Sequence, residues 1–263
     1  MTLLDEVRSA LGRARADGSL VPLTSTPSRI DGDGVGFSVR RIERFEHKPL
    51  GTKEADPFRA PWTDALFVRE WPPDHVLLLN KFPVLDDHVL IVTRDWADQE
   101  EPPDDGDLDA LRTAMAAMDG LGFYNGGRRA GASQPHRHLQ LVGRQGTGEL
   151  PLEPLILEAL AAGRDRVERF GFRHLVLPEL PDAAGIRAAL ASLGRTTAPG
   201  PHSLLTARGW ALVVPRTASK VGGMPVNSLG YVGLLATKGD AGETWLREHG
   251  PWAVLQGAGE PLS

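Results

Sequence analysis

Two histidines and a glutamine occupy alternate positions in residues 135–140, as His136, His138 and Gln140. Successive side chains of a β-strand point to opposite faces of the sheet. A strand here would therefore place these three polar groups on one face and Leu139 in a core on the other. Polar side chains in such a row must be hydrogen-bonded, solvated or bound to a ligand. The segment is therefore the first candidate for a functional site.

Three kinds of chemistry use such a row: metal binding, general acid–base catalysis, and attack by an imidazole nitrogen on phosphorus. Metal binding is disfavoured because glutamine is a poor zinc ligand and the chain contains no cysteine. The non-catalytic alternative is a solvated edge strand with incidental histidines. Gly131, Ser133 and Pro135 argue against it, because they specify a rigid turn whose hydroxyl and backbone donors suit a phosphate.

Three sets of segments resemble the histidine-triad superfamily, in the branch where glutamine replaces the third histidine. That branch contains galactose-1-phosphate uridylyltransferases and ATP adenylyltransferases, which are also called diadenosine tetraphosphate phosphorylases. The segments are more similar to the adenylyltransferases, and Arg137 favours them too, because uridylyltransferases have proline there. The matching segments are 124–127 with 131–140, 79–84 with 87–94, and 204–206 with 213–216 and 226–230.

The resemblance implies a role for each residue of the row. His138 would be the nucleophile that attacks an α-phosphorus, and His136 would orient it, with a main-chain carbonyl near the first histidine accepting the proton of its other nitrogen. Gln140 would donate to a phosphate oxygen without titrating. Substrate contacts are expected from residues in the matching segments and in the loop before them: Asn80, Lys81, Asn125, Ser133, Gln134 and Lys53.

The implied activity is nucleotidyl transfer: diadenosine tetraphosphate would be cleaved by inorganic phosphate to ATP and ADP through an adenylyl-histidine. The expected partners are small molecules, namely diadenosine tetraphosphate, ATP, ADP, AMP and phosphate. No protein metal site or tightly bound cofactor is expected, and magnesium would arrive with the polyphosphate. Three alternatives stay open: hydrolysis with water as acceptor, transfer from ADP to sulfate, and a non-catalytic nucleotide-binding module.

Several of these residues also have plain structural interpretations. Asn80 and Lys81 could simply form a turn, and Asn125 could cap one. His88 is expected to be a structural histidine. Asn227 and Ser228 are typical of a helix N-cap. The sequence leaves the roles of three basic residues open: Arg128, Arg129 and Lys238.

Composition narrows the class of protein. The 263 residues include 29 Lys and Arg against 34 Asp and Glu, for a net charge of -5. A mildly acidic chain is a poor non-specific binder of nucleic acid, so a phosphate site must be a local positive pocket. Without cysteine, disulfides and thiolate metal sites are excluded. Acidic residues at the N-terminus and the lack of a long apolar run predict a cytoplasmic protein with no membrane contact.

The mixed pattern, with the resemblance, predicts an α+β fold: a histidine-triad-like antiparallel sheet flanked by helices, with an appended C-terminal α/β region. We expect a catalytic region at 1–163 and a C-terminal region at 164–263 packed on the same sheet. Periodicity predicts the following elements. Helices are expected at 2–15, 108–118, 152–162, 183–193 and 228–238, an acidic loop at 98–107, and strands at 65–70, 75–80, 88–93, 121–125, 136–142, 172–177, 202–207 and 210–215.

Overall fold

A computed structural model describes residues 1–43, 56–195 and 199–262. Eight of its strands form one sheet in the order β3-β4-β5-β7-β6-β9-β10-β8, and every neighbouring pair is antiparallel. The strands are β1 (Ser25–Gly32), β2 (Val35–Ile42), β3 (Phe67–Trp71), β4 (His75–Leu79), β5 (His88–Thr93), β6 (Gly120–Gly126), β7 (His138–Gly143), β8 (Leu175–Leu177), β9 (His202–Ala207), β10 (Trp210–Pro215), β11 (Lys220–Val221), β12 (Met224–Pro225) and β13 (Leu234–Lys238).

Helices flank this sheet, so the predicted α+β class with an antiparallel sheet is confirmed. Strands from both sides of residue 163 join it, and the division of the chain at that residue stays a prediction. The helices are α1 (Leu3–Ala16), α2 (Asp105–Ala117), α3 (Arg144–Thr147), α4 (Glu153–Ala161), α5 (Ala183–Ser192), α6 (Gly239–His249) and α7 (Pro251–Ala258), with 3₁₀ turns at Arg128–Ala130 and Ser228–Val232.

Three helices cover one face of the sheet. α1 begins at a capping box formed by Thr2 and Asp5, and it buries an apolar stripe at helical spacing. Together with α2 and α5 it packs on the face to which Leu139 and Leu141 point. Both leucines are fully buried there, as the alternation of β7 requires.

The opposite face carries two separate apolar clusters. One lies on β4 and β5 and includes Phe58, Leu90 and Val92. The other lies on β6, β9 and β10 under α4 and α7. β7 runs between them, and residues paired across an antiparallel ladder share a face. His138 is paired with Val92 and Gln140 with Leu90, so both polar side chains lie between the two clusters.

Several elements differ from the sequence-based predictions; β8, for example, begins at Leu175 and not at residue 172. The helix predicted at 228–238 is wrong: a 3₁₀ turn ends at Gly233 (φ 87°), and β13 follows, pairing in parallel with β2. α2 begins within the predicted acidic loop, because the Asp104 side chain caps it. β7 begins at His138, and His136 instead forms an isolated bridge with Asp98.

None of the helices in the described ranges is long and apolar enough to cross a membrane. The predicted cytoplasmic location stays a prediction.

Candidate active site

His138 is the first residue of β7, and its ring is almost buried, with 4% exposed. Its Nδ1 lies 2.8 Å from the main-chain carbonyl oxygen of His136. A carbonyl can only accept, so Nδ1 carries the proton, and Nε2 is the nitrogen with the lone pair. The edge of Phe58 packs against the ring, with 5.0 Å between the centroids. The backbone thus fixes the tautomer and the direction of the His138 imidazole.

The main chain of His138 is held by a side chain that sequence reasoning missed. The ladder between β6 and β7 stops at the pair formed by Phe123 and Gln140, two residues before His138 is reached. Gln99 fills the gap: its Oε1 accepts from the His138 N–H at 2.7 Å, and its Nε2 donates to the carbonyls of His138 at 3.2 Å and Asn125 at 2.9 Å. Gln99 lies in an irregular segment, where no periodicity reveals it.

The ring of His136 is buried and bonded on both sides. Its Nδ1 lies 2.7 Å from a carboxylate oxygen of Asp56, whose side chain is also buried. Its Nε2 lies 3.0 Å from the Thr93 hydroxyl and 3.2 Å from the carbonyl oxygen of Asp95. These contacts anchor His136, whose carbonyl oxygen accepts the hydrogen bond from Nδ1 of His138. The sequence offered no signal for Asp56.

Gln140 and Asn80, two predicted site residues, are connected through His88. The Oε1 of Gln140 lies 3.0 Å from His88 Nε2, and the Nδ2 of Asn80 lies 3.1 Å from His88 Nδ1. Asn80 Oδ1 in turn accepts from the N–H of Phe82 at 3.1 Å. His88 was expected to be structural, and the structure places it in direct contact with the polar row.

Asn125 lies near the end of β6, where the C-terminal part of the chain reaches the sheet. Its Oδ1 accepts from the Ser228 N–H at 2.8 Å and lies 2.7 Å from the Ser228 hydroxyl. The contact with the Ser228 N–H identifies Oδ1 as the amide oxygen, which leaves Nδ2 as a donor. Asn227 caps the 3₁₀ turn that follows, accepting from the Leu229 N–H as the plain interpretation predicted.

The remaining predicted residues lie around this core. Ser133 and Gln134 are half-buried in the turn that leads into His136, and Gln134 Oε1 is buried without a hydrogen-bond partner in the described ranges. Lys81 is exposed beside Asn80, with its Nζ 5.7 Å from the centre of the Phe82 ring. Lys53 lies outside the described residues.

Among the three basic residues left open, Arg128 and Arg129 have exposed side chains on a 3₁₀ turn, and Lys238 is exposed at the end of β13. Within residues 1–43, 56–195 and 199–262, no group of three or more His, Asp and Glu side chains is placed to hold a metal ion.

Arg137 points to the helical side of the sheet and fixes the strand there. Its Nη1 lies 3.0 Å from Asp107 on α2, and the other oxygen of that carboxylate lies 2.9 Å from His75. Burial opposes ionisation of Asp107, but the hydrogen bonds from His75 and the Asp104 N–H and the charge of Arg137 prevail and lower its pKa. The residue between the two histidines therefore joins the active strand to the first turn of α2.

Arg216 ties the C-terminal region to the turn before the histidines. Its side chain is 1% exposed, and its guanidinium forms no ion pair with a described carboxylate. Burial lowers its pKa, while the adjacent ring of Tyr231 partly compensates. The guanidinium donates to an oxygen of each of five residues, namely Ala130, Ser203, Ala218, Val226 and Ala258. A positive charge is thus buried beside the turn.

Two curated relatives come from Saccharomyces cerevisiae. Diadenosine 5',5'''-P1,P4-tetraphosphate phosphorylase 2 is 27% identical over 73% of this chain and 71% of its own length. Protein APA1 is 26% identical over 62% of this chain and 61% of its own length. Crystal structures of yeast Ap4A phosphorylase Apa2 match the whole chain: the complex with Ap4A at 23% identity and the complex with AMP at 24%, each with a TM-score of 0.82 over 100% of both chains.

Two family models account for most of the sequence. The Ap4A phosphorylase N-terminal domain matches residues 1–158, and the ATP adenylyltransferase C-terminal domain matches residues 168–261. The first match alone covers more than half of the chain and includes the strand that carries His138 and Gln140. The chain therefore belongs to the Ap4A phosphorylase family.

Proposed function

We propose that this protein is a nucleotidyltransferase that cleaves diadenosine tetraphosphate with inorganic phosphate to give ATP and ADP. Family membership supports the reaction type. The single observation that carries the mechanism is the 2.8 Å contact between Nδ1 of His138 and the carbonyl of His136, because it leaves Nε2 as the unprotonated nitrogen. A buried imidazole held in that tautomer is suited to attack phosphorus.

In the first step, Nε2 of His138 forms a bond to an α-phosphorus while the bond to the bridging oxygen breaks. ATP leaves, and AMP stays on the histidine as a phosphoramidate. The leaving oxygen belongs to a triphosphate, a weak base, so donors and positive charge matter more than a strong general acid. The positive charge that forms on the imidazole is stabilised by the hydrogen bond from Nδ1 to the His136 carbonyl.

In the second step, a phosphate oxygen attacks the same phosphorus, the bond to Nε2 breaks, and ADP leaves. Atoms balance: one tetraphosphate and one phosphate give one triphosphate and one diphosphate. Each displacement inverts the phosphorus, so the two together give net retention. A chiral thiophosphate at the α-position would therefore keep its configuration in ADP.

The groups proposed to bind the polyphosphate are the donors around this ring. Gln140 and Asn125 each have the amide oxygen engaged within the protein, which turns the amide nitrogen into the available donor. Ser133 and Gln134 supply polar groups from the turn, and the buried Oε1 of Gln134 could accept from a ligand hydroxyl. Asn80 and Lys81 lie on the neighbouring loop. Magnesium that accompanies the polyphosphate would shield its charge.

A trapping experiment tests this proposal. The protein is mixed with diadenosine tetraphosphate labelled in the α-phosphate, without phosphate, and quenched in alkali to preserve an acid-labile adenylyl-histidine. We expect label on the wild-type protein and none on His138→Ala, with turnover reduced by at least about 10³-fold. Adding phosphate should release ADP. His174→Ala is the matched control, because it removes a buried histidine that contacts only Val167 and Phe172 by hydrogen bonds.

The products distinguish the alternatives. AMP and ATP without phosphate would indicate a hydrolase, and adenylyl sulfate formed from ADP and sulfate would indicate the sulfate-transfer reaction. Binding of the dinucleotide without label or turnover would indicate a non-catalytic module. Turnover by a folded His138→Ala protein would refute the covalent route.

A further inference from the structure

We infer that His88 is a positioning residue that fixes the direction of the Gln140 amide, so that its nitrogen, and not its oxygen, faces the phosphate. This inference rests on the proposed function. His88 lies outside the row of His136, His138 and Gln140, and its role in the transfer reaction depends on the proton carried by its Nε2.

A backbone N–H can only donate a hydrogen bond. The N–H of Phe82 donates to a terminal atom of the Asn80 side chain, so that atom is the amide oxygen. The other terminal atom of Asn80 is therefore the NH₂ group. It lies 3.1 Å from Nδ1 of His88, and since it can only donate, Nδ1 must be the acceptor.

An imidazole that accepts at Nδ1 carries its proton on Nε2. Nε2 of His88 lies 3.0 Å from a terminal atom of the Gln140 side chain. A donor here requires an acceptor opposite, so that atom is the amide oxygen of Gln140. The orientation of the half-buried Asn80 amide thus fixes the proton position on His88, which in turn fixes the orientation of the Gln140 amide. His88 and Gln140 lie on β5 and β7, which are hydrogen-bonded neighbours.

The direction matters because the two ends of a glutamine amide are similar in size but opposite in polarity. An amide nitrogen facing a phosphate oxygen donates a hydrogen bond, whereas an amide oxygen there repels it. Gln140 and His88 are both buried and His88 packs on Phe123, so water is a poor substitute for the missing partner. A preorganised donor costs no reorganisation when charge develops on the phosphate.

Replacement of His88 separates this role from packing. His88→Leu keeps an apolar body but removes the donor to Gln140. His88→Gln also removes the ring, yet its Nε2 can occupy the place of the imidazole Nε2 and donate to the same oxygen. We expect kcat for phosphorolysis to fall about 10- to 100-fold in His88→Leu, with KM changed less than threefold, and to recover to within about fivefold of wild type in His88→Gln.

A double-mutant cycle shows whether the effect passes through Gln140. Once Gln140→Ala has removed the amide, His88→Leu should lower kcat by less than about threefold further, because nothing remains to be oriented. His174→Leu is the control for loss of a buried, hydrogen-bonded histidine, and it should lower the unfolding temperature without lowering kcat. Unfolding is measured for every variant, and His88→Gln carries the test if His88→Leu does not fold.

Additive losses in the cycle, or equal kcat in the Leu and Gln variants at equal stability, would overturn the inference. Failure of the proposed function looks different: wild-type protein would then show no phosphate-dependent ADP and no adenylyl-histidine. A wild type that phosphorolyses the dinucleotide while His88→Leu keeps its kcat would reject only the role of His88.

Discussion

Substitution of Gln99 is expected to damage both stability and catalysis, because its side chain completes the backbone hydrogen bonding around the nucleophile. Gln99→Leu leaves three buried groups without partners: the N–H and carbonyl of His138 and the carbonyl of Asn125. Each orphaned group costs about 1–3 kcal/mol, so the three together should lower the free energy of unfolding by about 3–9 kcal/mol. That is a large part of the 5–15 kcal/mol that is typical of a folded domain, as an order of magnitude.

Gln99→Glu is the sharper variant because it keeps the shape and one of the contacts. One carboxylate oxygen can still accept from the His138 N–H, but the other would face the carbonyls that Nε2 now binds. Repulsion should move the start of β7, and a misplacement of about 1 Å at a reacting group can cost roughly 10²-fold in rate. Protonation of the new carboxyl restores a donor, so kcat of Gln99→Glu relative to that of wild type at the same pH should rise as the pH is lowered.

The assay is kcat for phosphorolysis between pH 5 and pH 8 in roughly unit steps, alongside urea unfolding of the same samples. Gln145→Glu is the control, because exposed Gln145 accepts from Arg8 and a carboxylate can accept equally well. Unchanged urea midpoints for Gln99→Leu, or a folded Gln99→Glu protein with kcat within threefold of wild type at neutral pH, would refute the reasoning.

Two further predictions concern stability. Burial lowers the pKa of His202 to about 4, against an ordinary value of about 6.5. The unfolded chain therefore takes up that proton first, so stability is full above about pH 6.5 and falls by about 3 kcal/mol toward pH 4. His202→Gln should flatten urea midpoints over that range, and an unchanged slope would contradict this. Arg216→Met should lower the free energy of unfolding by roughly 3–5 kcal/mol, because five oxygens lose the guanidinium as donor and, of these, the Ala258 carbonyl also accepts from the Thr217 N–H. Arg216→Lys should not restore it, since an ammonium has only three donors. Wild-type midpoints in Arg216→Lys would show that charge alone suffices.

Sequence reasoning succeeded where an element is specified locally. The hairpin of β9 and β10 was predicted with its observed bounds, because two apolar runs flank Arg208 and Gly209. It failed at 228–238, where the apolar spacing suits a helix but a positive φ at Gly233 redirects the chain. β13 is a strand because it pairs in parallel with β2, which lies far back in the sequence. No local pattern reports a parallel pairing at that distance.

The same limit applies to the site. The row of His136, His138 and Gln140 is visible because alternation is a local property of a strand. Gln99 and Asp56 were missed, since both come from irregular segments and meet the histidines only when the chain folds. Gln99 completes backbone hydrogen bonds that β6 and β7 leave unpaired, and Asp56 contacts the ring of His136. Which residue makes such a contact depends on the three-dimensional arrangement of the chain, and no local sequence pattern reveals it.

In the proposed reaction, groups that do not titrate do much of the positioning. Gln99 holds the backbone of His138, and Gln140 would donate to the phosphate. An imidazole at the position of Gln140 would gain a charge and lose its acceptor as the pH falls, whereas an amide donates and accepts at every pH and is oriented only by its neighbours. Neighbouring hydrogen-bonding groups must therefore determine which end of each amide, oxygen or nitrogen, faces the ligand or the backbone. It follows that a substitution that removes the donor at His88 should lower the rate although it removes no charge, whereas one that keeps a donor there should cost far less.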